Sequence, residues 1–297
     1  MKRDFLTGEE LGAFELGKLL DRAAELKAGR GERVGGDSLA GRSIALVFDR
    51  PSTRTRVSFE VGVSELGGHA VVLREGETQL ARGESLRDFA LVLSRLVAAI
   101  GIRTGPHATV VELAEHAGVP VVNMLTADHH PCQALADLLT LRERFGDLEG
   151  LKLAYVGDGN NVANSLMLLG AKAGMEVAVA TPAERRPSLS VDGGAVTIGS
   201  DPLAAAAGAH ALYTDVWVSM GDEAQAESVR TALEPYRLDE ALMAHARPDA
   251  VALHCLPAHP GEEISAGVLY GGQSAVWDQA ENRLHAQKAL LELLVAG

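Results

Sequence analysis

Aromatic side chains are scarce in this chain, only 4% of its 297 residues, so its cores must be packed from Val, Leu, Ile and Ala. Two cysteines, Cys132 and Cys255, are too few for a disulfide framework and agree with a reducing compartment. No stretch reaches the ~18 uninterrupted apolar residues of a membrane span. Met1-Lys2-Arg3-Asp4 leads into mixed polar sequence, not an apolar signal segment. Positive charge is also in deficit. The formal net charge of −13 argues against nucleic acid or an anionic membrane as partner. These absences lead to the expectation of a cytoplasmic protein. Any anionic ligand must be held by a local arginine cluster working against the field of the whole molecule.

What is present reads as folded: 47% hydrophobic and 23% charged residues, in a length that suits two domains. Short apolar runs rich in β-formers occur at 43–48, 70–73, 97–103 and 120–123, and again at 151–156, 176–180, 195–198, 211–214 and 250–254. Several are apolar on successive residues, as in Ile44-Ala45-Leu46-Val47-Phe48, the mark of parallel strands covered on both faces. Helical segments fill the gaps. The pattern predicts an α/β protein of two doubly wound domains, each a mainly parallel sheet flanked by helices. A helix with an apolar stripe (Leu135, Leu138, Leu139, Leu141) is expected over 132–145, close to the domain boundary. The stretch 183–194 reads as an exposed loop without chemistry. A last amphipathic helix is predicted over 281–295.

Asp49-Arg50-Pro51-Ser52-Thr53-Arg54-Thr55-Arg56 stands between a buried strand and a helical pattern. Ser52 suits the N-cap, and a helix start offers unpaired N–H groups and partial positive charge to a phosphate. The hydroxyls of Ser52, Thr53 and Thr55 add donors, and Arg54 adds a charge-assisted fork. His129-His130-Pro131-Cys132-Gln133 opens the boundary helix, with proline comfortable near its start. Gly157-Asp158-Gly159-Asn160-Asn161 resembles a nucleotide-binding turn, but Val162 replaces the third glycine. Asn160 and Asn161 are better read as polar groups presented to a small ligand. Asp215-Val216-Trp217-Val218-Ser219-Met220-Gly221 follows another strand end, either as a loop packed on the core or as one that closes over substrate. His254-Cys255-Leu256-Pro257 follows a further strand, where doubly wound sheets collect ligands. No pair among His129, His130, Cys132, His254 and Cys255 has the spacing of a structural zinc site, so no metal is assigned. Arg283, near the start of the last predicted helix, opposes the helix dipole, a placement that points to an anionic partner.

Taken in order, Ser-Thr-Arg-Thr-Arg at 52–56, His-Pro-Cys-Gln at 130–133, Asp-x-Trp-x-Ser-Met-Gly at 215–221, His-Cys-Leu-Pro at 254–257 and Glu-Asn-Arg at 281–283 resemble the ornithine carbamoyltransferases. The first two mark carbamoyltransferases in general, whereas Ser-Met-Gly and His-Cys-Leu-Pro belong to the ornithine branch. The resemblance implies a carbamoyl phosphate domain of 1–131 plus a returning helix at 281–297, an ornithine domain of 132–280, and a homotrimer or a multiple of trimers. It implies that Ser52, Thr53, Arg54, Thr55 and Gln79 hold the phosphate of carbamoyl phosphate. Arg103 and His130 would polarise its carbonyl, and Arg283 would add a further donor. Gln133 and the carbonyls of Cys255 and Leu256 would orient its nitrogen. Asn161, Asp215, Ser219 and Met220 would bind ornithine, with Asp215 or Cys255 orienting or deprotonating its δ-amine. The implied reaction yields citrulline and phosphate, in arginine biosynthesis or catabolism, and requires no cofactor because the leaving group is already activated. Carbamoyl transfer to another amine, such as putrescine or an acylated ornithine, is the neighbouring alternative. The chain departs from the family's common pattern at Pro260, where many members carry arginine.

Overall fold

The computed structural model of the chain describes residues 2–32, 34, 36–218 and 226–296. It separates into two compact units, Met1–Leu139 with Glu281–Gly297, and Thr140–Ala280. The expected boundary at 131/132 lies at the start of the boundary helix, whereas the division by packing falls inside that helix, between Leu139 and Thr140.

In the first unit the apolar runs form β1 (Ser43–Phe48), β2 (His69–Arg74), β3 (Ala99–Arg103) and β4 (Val121–Leu125). They pair in parallel in the order β2-β1-β3-β4, with Ile44 in register with both Ala70 and Ala99. The inner strands β1 and β3, and β4 at one edge, are buried along most of their length, which is why they are apolar on nearly all successive residues. The edge strand β2 is only partly buried, and it ends in charged sequence. One face of the sheet packs Val47, Ile100 and Ile102 against Phe89 of α3 (Leu86–Leu93) and Val110 and Leu113 of α4 (His107–His116). The remaining helices are α1 (Ala13–Ala28), α2 (Thr53–Glu65) and α5 (Pro131–Phe145), which crosses into the second unit.

In the second unit β5 (Lys152–Val156), β6 (Glu176–Ala180), β7 (Val196–Gly199), β8 (Ala211–Thr214) and β9 (Val251–His254) form a parallel sheet in the order β7-β6-β5-β8-β9. Its core is rich in alanine, with Ala154, Ala178, Ala180, Ala206 and Ala252 all buried, as the shortage of aromatics requires. The principal helix is α6 (Asn161–Lys172), followed by the short α7 (Pro202–Ala206), α8 (Ala226–Leu233), α9 (Glu240–Met243) and α10 (Ala266–Leu269). The nine predicted strands and the parallel α/β class are all present.

The predicted last helix starts too late. Helix α11 runs Val276–Leu291, so Arg283 lies two turns inside it and the dipole argument drawn from a helix start does not apply. What places Arg283 is packing. Gly62 of α2 lets α11 approach so closely that an added Cβ would lie 3.3 Å from the Lys288 stem and 3.4 Å from Leu284. Lys288 Nζ then closes the contact on Glu65 at 2.7 Å.

Candidate active site

Both sheets change winding direction at an inner strand, and ligands of doubly wound sheets gather beyond the carboxyl ends there. In the first unit that point lies between β1 and β3. Ser52 caps α2 in an extended conformation, its hydroxyl accepting from the Thr55 N–H at 3.3 Å. This leaves the first turn of α2 with Thr53 exposed, Arg54 half-buried and Thr55 fully buried. Arg103 ends β3, and its Nη1 donates to Thr55 Oγ1 at 3.4 Å. Arg283 Nη2 donates to the same oxygen at 2.5 Å, although the side chain is only 3% exposed. One buried hydroxyl is thus bonded by two guanidiniums from distant parts of the chain. Arg56 has a different role from its neighbours: it pairs with Glu60 one turn on, at 3.0 Å.

His130, just before α5, is buried beside this cluster. Burial, and then the charges of Arg283, Arg103 and Arg54, hold its pKa well below the ordinary 6.5, so it stays neutral. Gln133 Nε2 donates to Asp137 Oδ1 at 2.8 Å, which fixes the amide orientation. Its buried Oε1 has no hydrogen-bond partner among the described residues and is an acceptor open to a ligand. Cys132 is buried and its thiol is pushed up to about 12, an inert group donating to the Asn123 carbonyl at 3.3 Å. Gln79 lies apart, exposed on a 3-10 turn after β2 with Arg82 against its side chain.

These histidines make stability depend on pH. His129, His130, His210 and His285 are all held below 6.5, in each case first by burial. As pH falls through that value the unfolded chain takes up protons that the folded rings refuse, so the folded state loses ground. For the buried His130 alone the loss approaches about 1.4 kcal/mol per pH unit. The urea midpoint is therefore expected to drop between about pH 7.5 and about pH 5.5, and to drop less steeply in His130→Gln.

In the second unit the switch lies between β5 and β8. Gly157-Asp158-Gly159-Asn160 turns from β5 into α6, and Gly159 must be glycine, since an added Cβ would sit 2.3 Å from the Arg185 carbonyl oxygen. The stretch 183–194 is largely exposed, as expected, but not idle. Arg185 forks onto Asp158 at 2.8 and 3.0 Å and holds this turn. Asn160 is not presented to a ligand. Its Oδ1 accepts from Val162 N, Ala163 N and Tyr155 Oη, while its Nδ2 donates to Asp215 Oδ2 at 2.8 Å. Asn161 opens α6, half-buried. Asp215 follows β8 and is 6% exposed, its Oδ1 receiving the Cys255 thiol at 2.8 Å and the Val216 N–H at 2.8 Å. Trp217 packs into the core under Arg237, whereas Ser219 and Met220 lie outside the described residues.

Some residues of this site have no local signal in the sequence. Gln279 Oε1 accepts from His254 N at 2.9 Å and its Nε2 donates to Tyr213 Oη at 3.1 Å, tying the end of β9 to β8. Glu263 is fully buried against His254. Gln279 is revealed only by partners 25 and 66 residues away, and Glu263 by the ring of His254, nine residues before it.

The arginine cluster of one unit suits a small anion with a carbonyl, and the buried acid and thiol of the other suit an amine. Residues 3–143 match the family model for the carbamoyl-P binding domain of aspartate/ornithine carbamoyltransferase, and residues 149–294 match that for its Asp/Orn binding domain. The chain is 53% identical to an ornithine carbamoyltransferase of Methanoculleus marisnigri, over 100% of this chain and 98% of that one. Among solved structures, the ornithine carbamoyltransferase of Pyrococcus furiosus superposes with a TM-score of 0.94 at 46% identity, covering 100% and 98% of the two chains. That of Thermus thermophilus gives 0.90 at 46% identity, with 99% of each covered. The chain belongs to the aspartate/ornithine carbamoyltransferase family.

Proposed function

We propose that this protein transfers the carbamoyl group of carbamoyl phosphate to the δ-amine of L-ornithine, giving L-citrulline and phosphate. The observation that carries this reading is the buried Thr55 hydroxyl, bonded by Arg103 and Arg283 beside a neutral His130. Ser52, Thr53, Arg54 and Thr55 hold the phosphate at the start of α2. Arg103 and His130 face the carbonyl oxygen, and Arg283 adds a donor. The open Gln133 Oε1 and the carbonyls of Cys255 and Leu256 accept the carbamoyl N–H groups. Asn161, Asp215, Ser219 and Met220 take ornithine.

The chemistry follows from charge. An alkyl ammonium has a pKa near ~10.4 and must lose its proton before nitrogen can attack. The Asp215 carboxylate, with Cys255 bonded to it, orients that group. Attack on the carbonyl carbon forms the C–N bond and moves an electron pair onto the carbonyl oxygen. The pair returns as the C–O bond to phosphate breaks, and the leaving phosphate takes the proton that the attacking nitrogen gives up. Donors already aimed at that oxygen stabilise the charge without reorganising. A neutral imidazole is suited to this, since it donates a hydrogen bond without drawing the phosphate charge away from the arginines.

The resemblance and the exposed apolar side chains Val57, Leu91, Val92 and Leu96 support a homotrimer or a multiple of trimers, checked by a solution mass. The composition supports a cytoplasmic location; among the described residues no helix is long and apolar enough to cross a membrane. The direct test is citrulline formation from purified protein, with ornithine compared against putrescine and N-acetylornithine. Ornithine should react fastest. A protein forming no citrulline at saturating substrates overturns the reading. Arg54→Ala should weaken carbamoyl phosphate binding by about 10–100-fold, the loss typical of one charge-assisted contact.

A further inference from the structure

Glu263 takes no part in the chemistry above, yet it is fully buried, and among the described residues no lysine or arginine pairs with it. Burying a carboxylate is unfavourable unless its neighbours compensate. Its Oε1 accepts from the His259 N–H at 2.5 Å and faces His254 Nε2 at 3.2 Å, while Oε2 lies 3.7 Å from His259 Nδ1.

The other edge of the His254 ring shows what this contact accomplishes. Nδ1 accepts from the Leu256 N–H at 2.8 Å, so Nδ1 carries the lone pair and Nε2 carries the proton, which it donates to Glu263. The carboxylate therefore selects the tautomer and orientation in which His254 can hold Leu256, as an acid orients a ligating or catalytic histidine elsewhere. Leu256 needs holding. Its φ of 59° makes it the one described non-glycine residue in the left-handed region. A side chain with a Cβ is strained there, and such a conformation persists where its surroundings over-determine it. The His254 backbone is itself fixed by Gln279, so the ring works from a stationary base.

We propose that Glu263 and His254 are positioning residues for carbamoyl transfer: the Glu263 carboxylate orients the His254 ring, and the ring locks the Cys255–Leu256 turn. This rests on the reading that the Cys255 and Leu256 carbonyls receive the carbamoyl N–H groups. The turn then distinguishes carbamoyl phosphate from inorganic phosphate, which has no nitrogen to orient. Losing the dyad should weaken the first ligand and spare the second.

The test uses the full chain with Glu263→Ala and Glu263→Gln. It reads KM for carbamoyl phosphate, kcat, the inhibition constant of inorganic phosphate, and the melting temperature. Glu263→Ala should raise KM for carbamoyl phosphate by about 10-fold or more, with the phosphate constant unchanged. Glu263→Gln, whose amide oxygen still accepts from Nε2, should recover most of that loss. An active Glu263→Ala variant with unaltered KM, or one weakened equally toward both ligands, overturns the proposal and leaves Glu263 a purely structural residue. Should Glu263→Ala fail to fold, His254→Asn and His254→Gln decide instead. Asn keeps an acceptor near the Nδ1 position for Leu256 and Gln does not, so Asn should retain the preference for carbamoyl phosphate over phosphate better than Gln; the reverse order overturns the proposal. A wild-type protein that forms no citrulline would overturn the functional reading itself, which is a separate outcome.

Discussion

Arg103→Ala is expected to lower kcat/KM by about 10²–10³-fold, the effect of removing one preorganised donor from a developing oxyanion. The side chain ends β3 and reaches Thr55 Oγ1 at 3.4 Å, so its position comes from the sheet and not from a mobile loop. The loss should fall mainly on kcat, because the contact strengthens as charge develops on the carbonyl oxygen. Arg103→Lys should recover only part of it, since an ammonium cannot reproduce the fork that serves Thr55 and a ligand together. A second readout follows from His130. Arg103 is one of the charges that depress its pKa, so removing it moves that pKa upward. The wild-type rate should show no His130 titration near neutrality, whereas the variant should lose activity at a higher pH on the acid side. Steady-state kinetics across pH measure both effects, and a variant within a few-fold of wild type would remove Arg103 from the proposed role.

Asp215→Ala should be comparably severe, about 10²–10³-fold in kcat/KM for ornithine. The buried carboxylate receives Asn160 Nδ2, Val216 N and the Cys255 thiol. Truncating it removes the proposed partner of the substrate ammonium and also leaves these donors without an acceptor. Asp215→Asn should be nearly as damaging, because its amide nitrogen would face the Asn160 amide nitrogen, donor against donor. Cys255→Ser keeps a donor to Asp215 and should stay within about 10-fold of wild type. Carbamoyl phosphate binding, measured by calorimetry without ornithine, should be unchanged in Asp215→Ala. If that binding falls in parallel with activity, Asp215 is supporting the fold and not the amine.

The two sheets were legible because parallel strands covered on both faces must be apolar at successive positions, and helices between them leave little choice of architecture. Helix ends were less so. The start of α11 at Val276 is not legible, because Val276-Trp277-Asp278 has no cap or period that separates it from the preceding turn, and this makes Arg283 look like a residue of a helix start. Asn160 and Asn161 are adjacent and chemically identical. Only the fold shows that the first is consumed as a cap and as the partner of Asp215.

The capped start of α2, the proposed phosphate cradle, is the part that the amino-acid sequence determined by itself. Its hydrogen bond from Thr55 N to Ser52 spans three residues, and a cap, a helix start and a strand before them are local matters of dihedral angle and spacing. The arginines that converge on it were placed by tertiary structure alone. Arg103 reaches Thr55 from 48 residues away and Arg283 from 228. Such contacts depend on which sheet orders and helix packings, Gly62 against Lys288 among them, bring distant side chains within 3–4 Å. That convergence is a property of burial summed over the whole unit, and no local spacing encodes it.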